Sequence, residues 1–266
     1  MNRPHRRILG GQGAFFALTF LVSWACWLPV IFFRQNPLNT GFLLLYGAGL
    51  CGPSLAALYL AYQDQGKAGL LAFLRRALEL KFPLAGWAVI LLFWPAAFGL
   101  AALLASRLGF SPYPYSPLWK VFEAQPGLLL PQLLAWGLAG PLSGEYGWRG
   151  RAQDGLEAGW GRMGAALAIG VAGALWQLPL FYMLGTLQSN LSLPVYLLHT
   201  LVQAVLFGAV YSGTGRKLGA VVLFHALYNV VLSFVPLLDP VTFFALVGVE
   251  TLSAVLIGVW WKTHPR

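Results

Sequence analysis

The amino-acid sequence predicts an all-α membrane protein with about eight transmembrane helices, one interfacial amphipathic helix and both termini in the cytoplasm. Three observations predict it. Of the 266 residues, 58% are hydrophobic and only 9% are charged, whereas a soluble domain carries roughly 25% charged residues. Mean hydropathy is +0.69, and the apolar residues gather into runs of about 20, the length a helix needs to cross the hydrocarbon core. The chain also holds 11 Trp, 10 Tyr and 18 Phe, residues that line the two bilayer interfaces. This composition excludes an ordinary soluble enzyme, a disordered chain and a secreted disulfide scaffold.

Eight segments qualify as spans: 12–33, 41–63, 84–106, 126–147, 164–185, 193–212, 218–238 and 241–262. The basic start, Met1 to Arg7, resembles the first part of a signal peptide. The apolar run behind it is about 20 residues long rather than 7–15, and no small-residue cleavage site closes it, so a first helix that stays is expected. Residues 64–82 are too charged to span. Leu70, Leu71, Phe73, Leu74, Ala77, Leu78 and Leu80 give one apolar face beside Lys67, Arg75, Arg76 and Lys81, the pattern of a helix lying on the inner leaflet. The stretch 107–125, rich in Pro and aromatic residues, is expected to be an irregular outer loop. Pro179 inside the fifth span removes a backbone hydrogen bond, predicting a kink beside Gln177.

The basic residues test this topology. With both termini inside, Arg34, Arg107 and Lys120 fall on the outer side, and the other 14 of the 17 Lys and Arg face the cytoplasm, as the positive-inside bias requires. The net charge of +9 therefore reads as topology, and no nucleic-acid partner is expected. Cys26 and Cys51 lie inside apolar runs and have no metal-ligand or disulfide spacing, which leaves them to core packing. No second domain is visible: residues 1–266 read as one polytopic unit.

Charged groups at membrane depth are costly and usually line a site or a polar cavity. Here they are Glu145, Arg149, His199, His225 and Glu250, with Asn229, Gln177 and Gln203 as uncharged polar companions. Glu145 and Arg149 lie four apart on one helix face. They are either a structural ion pair or a carboxylate held ionised for chemistry. His225 and Asn229 are also four apart, offering an acid/base group beside an oxyanion donor. His199 falls nearer the outer end of its span, and Glu250 has no obvious partner.

Three stretches, in this order, resemble the CPBP family of CAAX prenyl endopeptidases and bacteriocin-processing or self-immunity proteins, also called the Abi family. They are Gly140-Pro-Leu-Ser-Gly-Glu-Tyr-Gly-Trp-Arg-Gly150, Leu175-Trp-Gln-Leu-Pro-Leu-Phe181 and Leu223-Phe-His-Ala-Leu-Tyr-Asn229. The motif-like region covers about 126–238. The resemblance implies an integral protein of a prokaryotic plasma membrane. It also implies a cytoplasm-facing intramembrane endopeptidase acting on a prenylated or membrane-anchored peptide, with the bilayer and that peptide as its partners. In the family, a pair of glutamates opens the first motif and a histidine stands in the second; the first glutamate and that histidine activate water. Those two positions fall here on Gly144 and Gln177. Glu145, Arg149, His225 and Asn229 survive.

Glycine carries no proton acceptor and glutamine cannot act as a base, so loss of a general base predicts a rate lowered by about 10²–10⁴-fold. Zinc, once proposed for the family, would find only His225 and Glu145 here, short of three protein ligands, and no cofactor is expected. Glu145, about 100° further round its helix, is expected to be committed to Arg149, and His199 to lie too far toward the outer face to substitute. The expectation is an impaired intramembrane endopeptidase. The alternative is a non-catalytic pseudoprotease that holds a membrane-borne peptide in a scaffold or self-immunity role. A transporter or sequestering immunity factor would need a continuous polar path, for which two intramembrane acids give little support.

Overall fold

In hydrocarbon a helix satisfies its own backbone groups, and the apolar runs of this chain wind accordingly. The computed structural model describes residues 3–37, 41–110, 124–235 and 240–264, all helix and connecting turns with no strand among the described residues. In order they are α1 (Arg3–Phe32), α2 (Leu43–Leu50), α3 (Gly52–Arg75), α4 (Leu84–Arg107), α5 (Leu129–Gly147), α6 (Asp154–Trp176), α7 (Leu193–Gly213), α8 (Leu218–Phe234) and α9 (Pro240–Thr263).

Five stretches among the described residues are long and apolar enough to cross a membrane: Gly11–Phe32, α4, Gly137–Tyr182, α7 and α9; the pair α2–α3, bent by 55°, makes a sixth. The difference from the expected eight has two sources. The segments expected at 126–147 and 164–185 are joined through a π-helical turn, Trp148–Gln153, so that Gly137–Tyr182 runs as one 46-residue stretch. In addition, α8 has only 17 residues. Most of the expected outer loop, residues 111–123, lies outside the described residues. The kink expected at Pro179 is instead a helix end: α6 stops at Trp176, Gln177 caps it, and Leu178–Tyr182 tightens into a 3-10 turn. Pro179 cannot donate to the preceding turn, and its ring discourages helix at the residue before it.

The segment expected to be one amphipathic helix over 64–82 is shorter and compound. Helix α3 continues past a break at Gly66 to Arg75, a 3-10 turn covers Arg76–Leu78, and residues 79–83 are non-helical. Leu71, Leu74 and Leu78 face outward, exposed, while Phe73 and Ala77 pack on Tyr146, Leu218 and Val222. The face is therefore divided between the protein and its surroundings.

Two aromatic cores flank the middle of the bundle. Trp94, Phe98, Phe207, Phe224 and Tyr228 join α4, α7 and α8; Phe15, Trp27, Trp148 and Trp176 join α1, the π-helical turn and the end of α6. Cys26, half-buried, packs against the second core, and both cysteines are free thiols. Small residues set the helix spacing, as is usual between membrane helices. A Cβ at Gly147 would lie 2.5 Å from the Pro53 carbonyl oxygen, and one at Gly170 would lie 2.9 Å from Leu201 Cα. These contacts hold α5 against α3 and α6 against α7.

Gly66 (φ 64°, ψ −157°) and Gly161 (φ 66°, ψ 177°) interrupt their helices in a backbone region that essentially only glycine occupies. A Cβ at Gly161 would meet nothing within 4 Å, so Gly161→Ala isolates the backbone contribution. It is expected to destabilise the protein by more than about 1 kcal/mol, lowering the unfolding midpoint in detergent. An unchanged midpoint would contradict the helix break.

Candidate active site

Of the polar residues at membrane depth, all but Glu250 line one cavity of about 280 Å³ between α5, the π-helical turn, the end of α6, α7, α8 and the start of α9. Glu145 and Arg149, at the end of α5 and in the π-helical turn, are buried to 1% and 6% exposure. Backbone packing of this region is dense: Ser54 Oγ donates to the Leu142 carbonyl at 2.7 Å, and Tyr146 Oη donates to the Leu74 carbonyl at 2.6 Å. These bonds fix the helix face that presents Glu145.

Glu145 has two partners. His225 Nδ1 donates to Glu145 Oε1 at 2.7 Å, and Arg149 Nη1 lies 3.4 Å from Glu145 Oε2. The (i, i+4) pair expected from the sequence is present, but the closer contact is the one across to α8. Arg149 also reaches the Ala204 carbonyl at 3.4 Å through Nη2 and lies over the Phe207 ring, 4.9 Å from its centroid. Bonding of Nδ1 to a carboxylate sets the imidazole tautomer and leaves Nε2 as the basic nitrogen. Glu145 Oε2 and Arg149 Nε are buried without a hydrogen-bond partner in the protein. Asn229, one turn beyond His225, lines the same cavity, and a Cβ at Gly140 would lie 2.8 Å from its Nδ2.

Gly144 and Gln177 line this cavity as well. A Cβ at Gly144 would lie 3.4 Å from Trp148 Cδ1, an ordinary contact, so a side chain there has room. Gln177 is engaged: its Oε1 accepts from Tyr196 Oη and, at 2.9 Å, from Gln188 Nε2. Among the described residues, no group of three or more His, Cys, Asp and Glu comes together.

His199, expected to lie too far toward the outer face to substitute for the base, shares this cavity with the motif residues. His199 is on the cavity wall, because α7 packs against α6, α8 and α9 along its length. Its Nδ1 donates to Glu250 Oε2 at 2.6 Å, and Tyr228 Oη donates to its Nε2 at 3.2 Å. Glu250, without an obvious partner in the sequence, thus has one here, and Gln203 Nε2 approaches its other oxygen at 3.4 Å. Tyr196, Gln188 and Tyr228 escape a reading that looks only for charge. A signal existed: Tyr196, His199, Thr200 and Gln203 recur at helical spacing along α7, which is a polar stripe on one face.

Residues 126–231 match the family model described as type II CAAX prenyl endopeptidase Rce1-like. Over that stretch the chain is similar to that family. No curated protein matches the chain. The Rce1-like stretch contains Gly144, Glu145, Arg149, Gln177, His225 and Asn229, and with the apolar helices it makes this an integral membrane protein. Glu250 lies beyond it.

The buried pair gives a stability test. Arg149→Met leaves Glu145 buried with His225 alone and is expected to cost about 3–5 kcal/mol, most of which Glu145→Gln in the same chain restores. Denaturation midpoints in detergent read both. An Arg149→Met protein as stable as the native one would contradict the pairing.

Proposed function

We propose that this protein is an impaired intramembrane endopeptidase of the Rce1-like type, which receives a prenylated or membrane-anchored peptide in the cavity and hydrolyses it slowly. The observation that carries the reading is the shared cavity: Gly144 and Gln177 stand on the same wall system as Glu145, Arg149, His225 and Asn229. The groove is kept while its base is missing. Asn229 supplies an amide donor for a developing oxyanion, His225 is oriented by Glu145, and Arg149 balances the Glu145 charge. No step is routed through a metal.

The reading takes eight crossings with both termini in the cytoplasm. Counting Gly137–Tyr182 as two crossings broken at Gly161, and adding α8, supports eight; the distribution of Lys and Arg supports the orientation. It also takes a prokaryotic plasma membrane as the site of action.

A non-catalytic holding role is the second reading. It is favoured by the pairing of Glu145 with His225 and Arg149 and by the amide-rich wall of Gln177, Gln188 and Gln203, which suits peptide backbone groups.

Cleavage of a quenched-fluorescent prenylated peptide by the purified protein separates the readings. The Gly144→Glu/Gln177→His variant is expected to raise turnover by about 10²–10⁴-fold, and His225→Ala to abolish what the native protein has. Turnover that appears only in the double variant would favour the holding role. Silence from the double variant would sink the peptidase reading.

A further inference from the structure

Glu250 is fully buried on α9, and His199 on α7 is 4% exposed. Placing a carboxylate and an imidazole at membrane depth is costly, and a buried ionic pair is weak evidence of a stabilising role, since apolar residues of similar volume often serve stability as well. The geometry supplies another reason for them. Glu250 Oε2, His199 Nδ1, His199 Nε2 and Tyr228 Oη form a chain with contacts of 2.6 and 3.2 Å. The order is carboxylate, imidazole, hydroxyl, in which the carboxylate sets the tautomer and steadies the imidazolium while Nε2 accepts the hydroxyl proton. Tyr228 and His199 both line the cavity. Tyr228 stands on α8 next to Asn229 and one turn from His225. Its ring is clamped by Trp94 and Phe98, at centroid distances of 4.8 and 5.8 Å, so the hydroxyl is held in place.

We propose that Tyr228, His199 and Glu250 form the proton relay that works in place of the missing base, with Tyr228 as the catalytic group and His199 and Glu250 as positioning and proton-holding residues. The inference rests on the peptidase reading. A water molecule gives one proton to the Tyr228 oxygen as the phenol proton moves to His199 Nε2; the water oxygen forms a bond to the peptide carbonyl carbon, whose oxygen takes up the negative charge beside Asn229. When the carbon–nitrogen bond breaks, its electron pair goes to nitrogen. The proton then returns from His199 through Tyr228 to that nitrogen. One water is consumed, one acid and one amine form, and the relay ends as it began.

The test uses the full chain in detergent with the prenylated quenched-fluorescent peptide, in the native protein and in the Gly144→Glu/Gln177→His background. Tyr228→Phe removes only the hydroxyl and His199→Gln keeps a polar side chain, so folding is spared in at least one of them, and unfolding midpoints report it. In the native background each is expected to lower kcat by at least about tenfold with KM little changed, whereas in the double-variant background, where another base is present, the same changes lower kcat by less than about threefold. Equal losses in the two backgrounds would show a structural role and overturn the relay. So would turnover confined to the double variant, which would favour the holding role; equal losses in the two backgrounds overturn the relay alone. If the double variant is itself silent, the peptidase reading fails and the relay falls with it.

Discussion

An ionised side chain inside a bilayer must find its counter-group within the protein, and that requirement organises this molecule. Glu145 is held by His225 at 2.7 Å and faced by Arg149 at 3.4 Å, which ties α5 and the π-helical turn to α8. Glu250 is held by His199 at 2.6 Å, which ties α9 to α7. Both carboxylates are almost fully buried, so the helices that carry their partners must approach to hydrogen-bonding distance. The glycines at the contacts follow from this. Gly140 beside Asn229, Gly147 beside Pro53 and Gly170 beside Leu201 allow approaches that any side chain would block. Aromatic rings then fill the space left between the polar contacts, with Trp94 and Phe224 on one flank and Trp148 and Trp176 on the other.

The backbone is least regular where the chemistry-bearing residues sit. The π-helical turn Trp148–Gln153 carries Arg149, and the 3-10 turn Leu178–Tyr182 comes directly after Gln177. A π turn inserts one residue into the helical repeat and rotates the rest of the helix about its axis, and such turns gather at functional sites. Here the turn holds the guanidinium where it meets Glu145, the Ala204 carbonyl and the Phe207 face at once. The ends of the cavity helices are fastened from the side of the Arg76 turn. Arg216 binds Asp154 at 2.6 Å and Glu157 at 2.8 Å, while Arg76 donates to the Gly150 carbonyl at 2.7 Å. The hairpin α7–α8 and the start of α6 are thereby joined to the amphipathic segment.

Much of the fold is legible in the sequence because one strong signal dominates: apolar runs of spanning length in a chain with few charges. The all-helical class and the first, third, sixth and last spans follow from run length, and the pairs Glu145–Arg149 and His225–Asn229 each follow from (i, i+4) spacing; that the two pairs belong to one site is implied by the family resemblance alone. The features that escape such a reading depend on three-dimensional proximity. Gly161 and Gly66 read as ordinary small residues, since no local pattern announces a positive φ inside an apolar run. Pro179 reads as a kink because a proline ending a helix and one bending it look alike without the turn beyond. His199 reads as remote because the sequence gives only its depth along one helix, and depth says nothing about which helices converge there. Glu250 cannot be paired by spacing because its partner is 51 residues away.

The electrostatics of the cavity give the two absent motif residues a physical meaning beyond lost catalysis. A carboxylate at 144 would stand next to Glu145 in a low-dielectric wall that has Arg149 as its nearest cation. Two carboxylates sharing one site repel, and one of them must hold a proton or recruit another cation. Glycine at 144 removes that repulsion, and the remaining pair, Glu145 with Arg149, is balanced. Glutamine at 177 acts in the same direction. A histidine there would titrate, whereas the amide is neutral at every pH and accepts from Tyr196 and Gln188. The cavity in this chain is therefore quieter electrostatically than one carrying both motif residues, and it carries less of the strain that functional sites often hold at the expense of stability. Two histidines, His225 on α8 and His199 on α7, still face it, each paired with a carboxylate. A wall relieved of repulsion would have no need of the second pair for balance, because Glu145 is already compensated without it. That leaves the alignment of Glu250, His199 and the Tyr228 hydroxyl as an arrangement whose cost of burial is best explained by the movement of a proton.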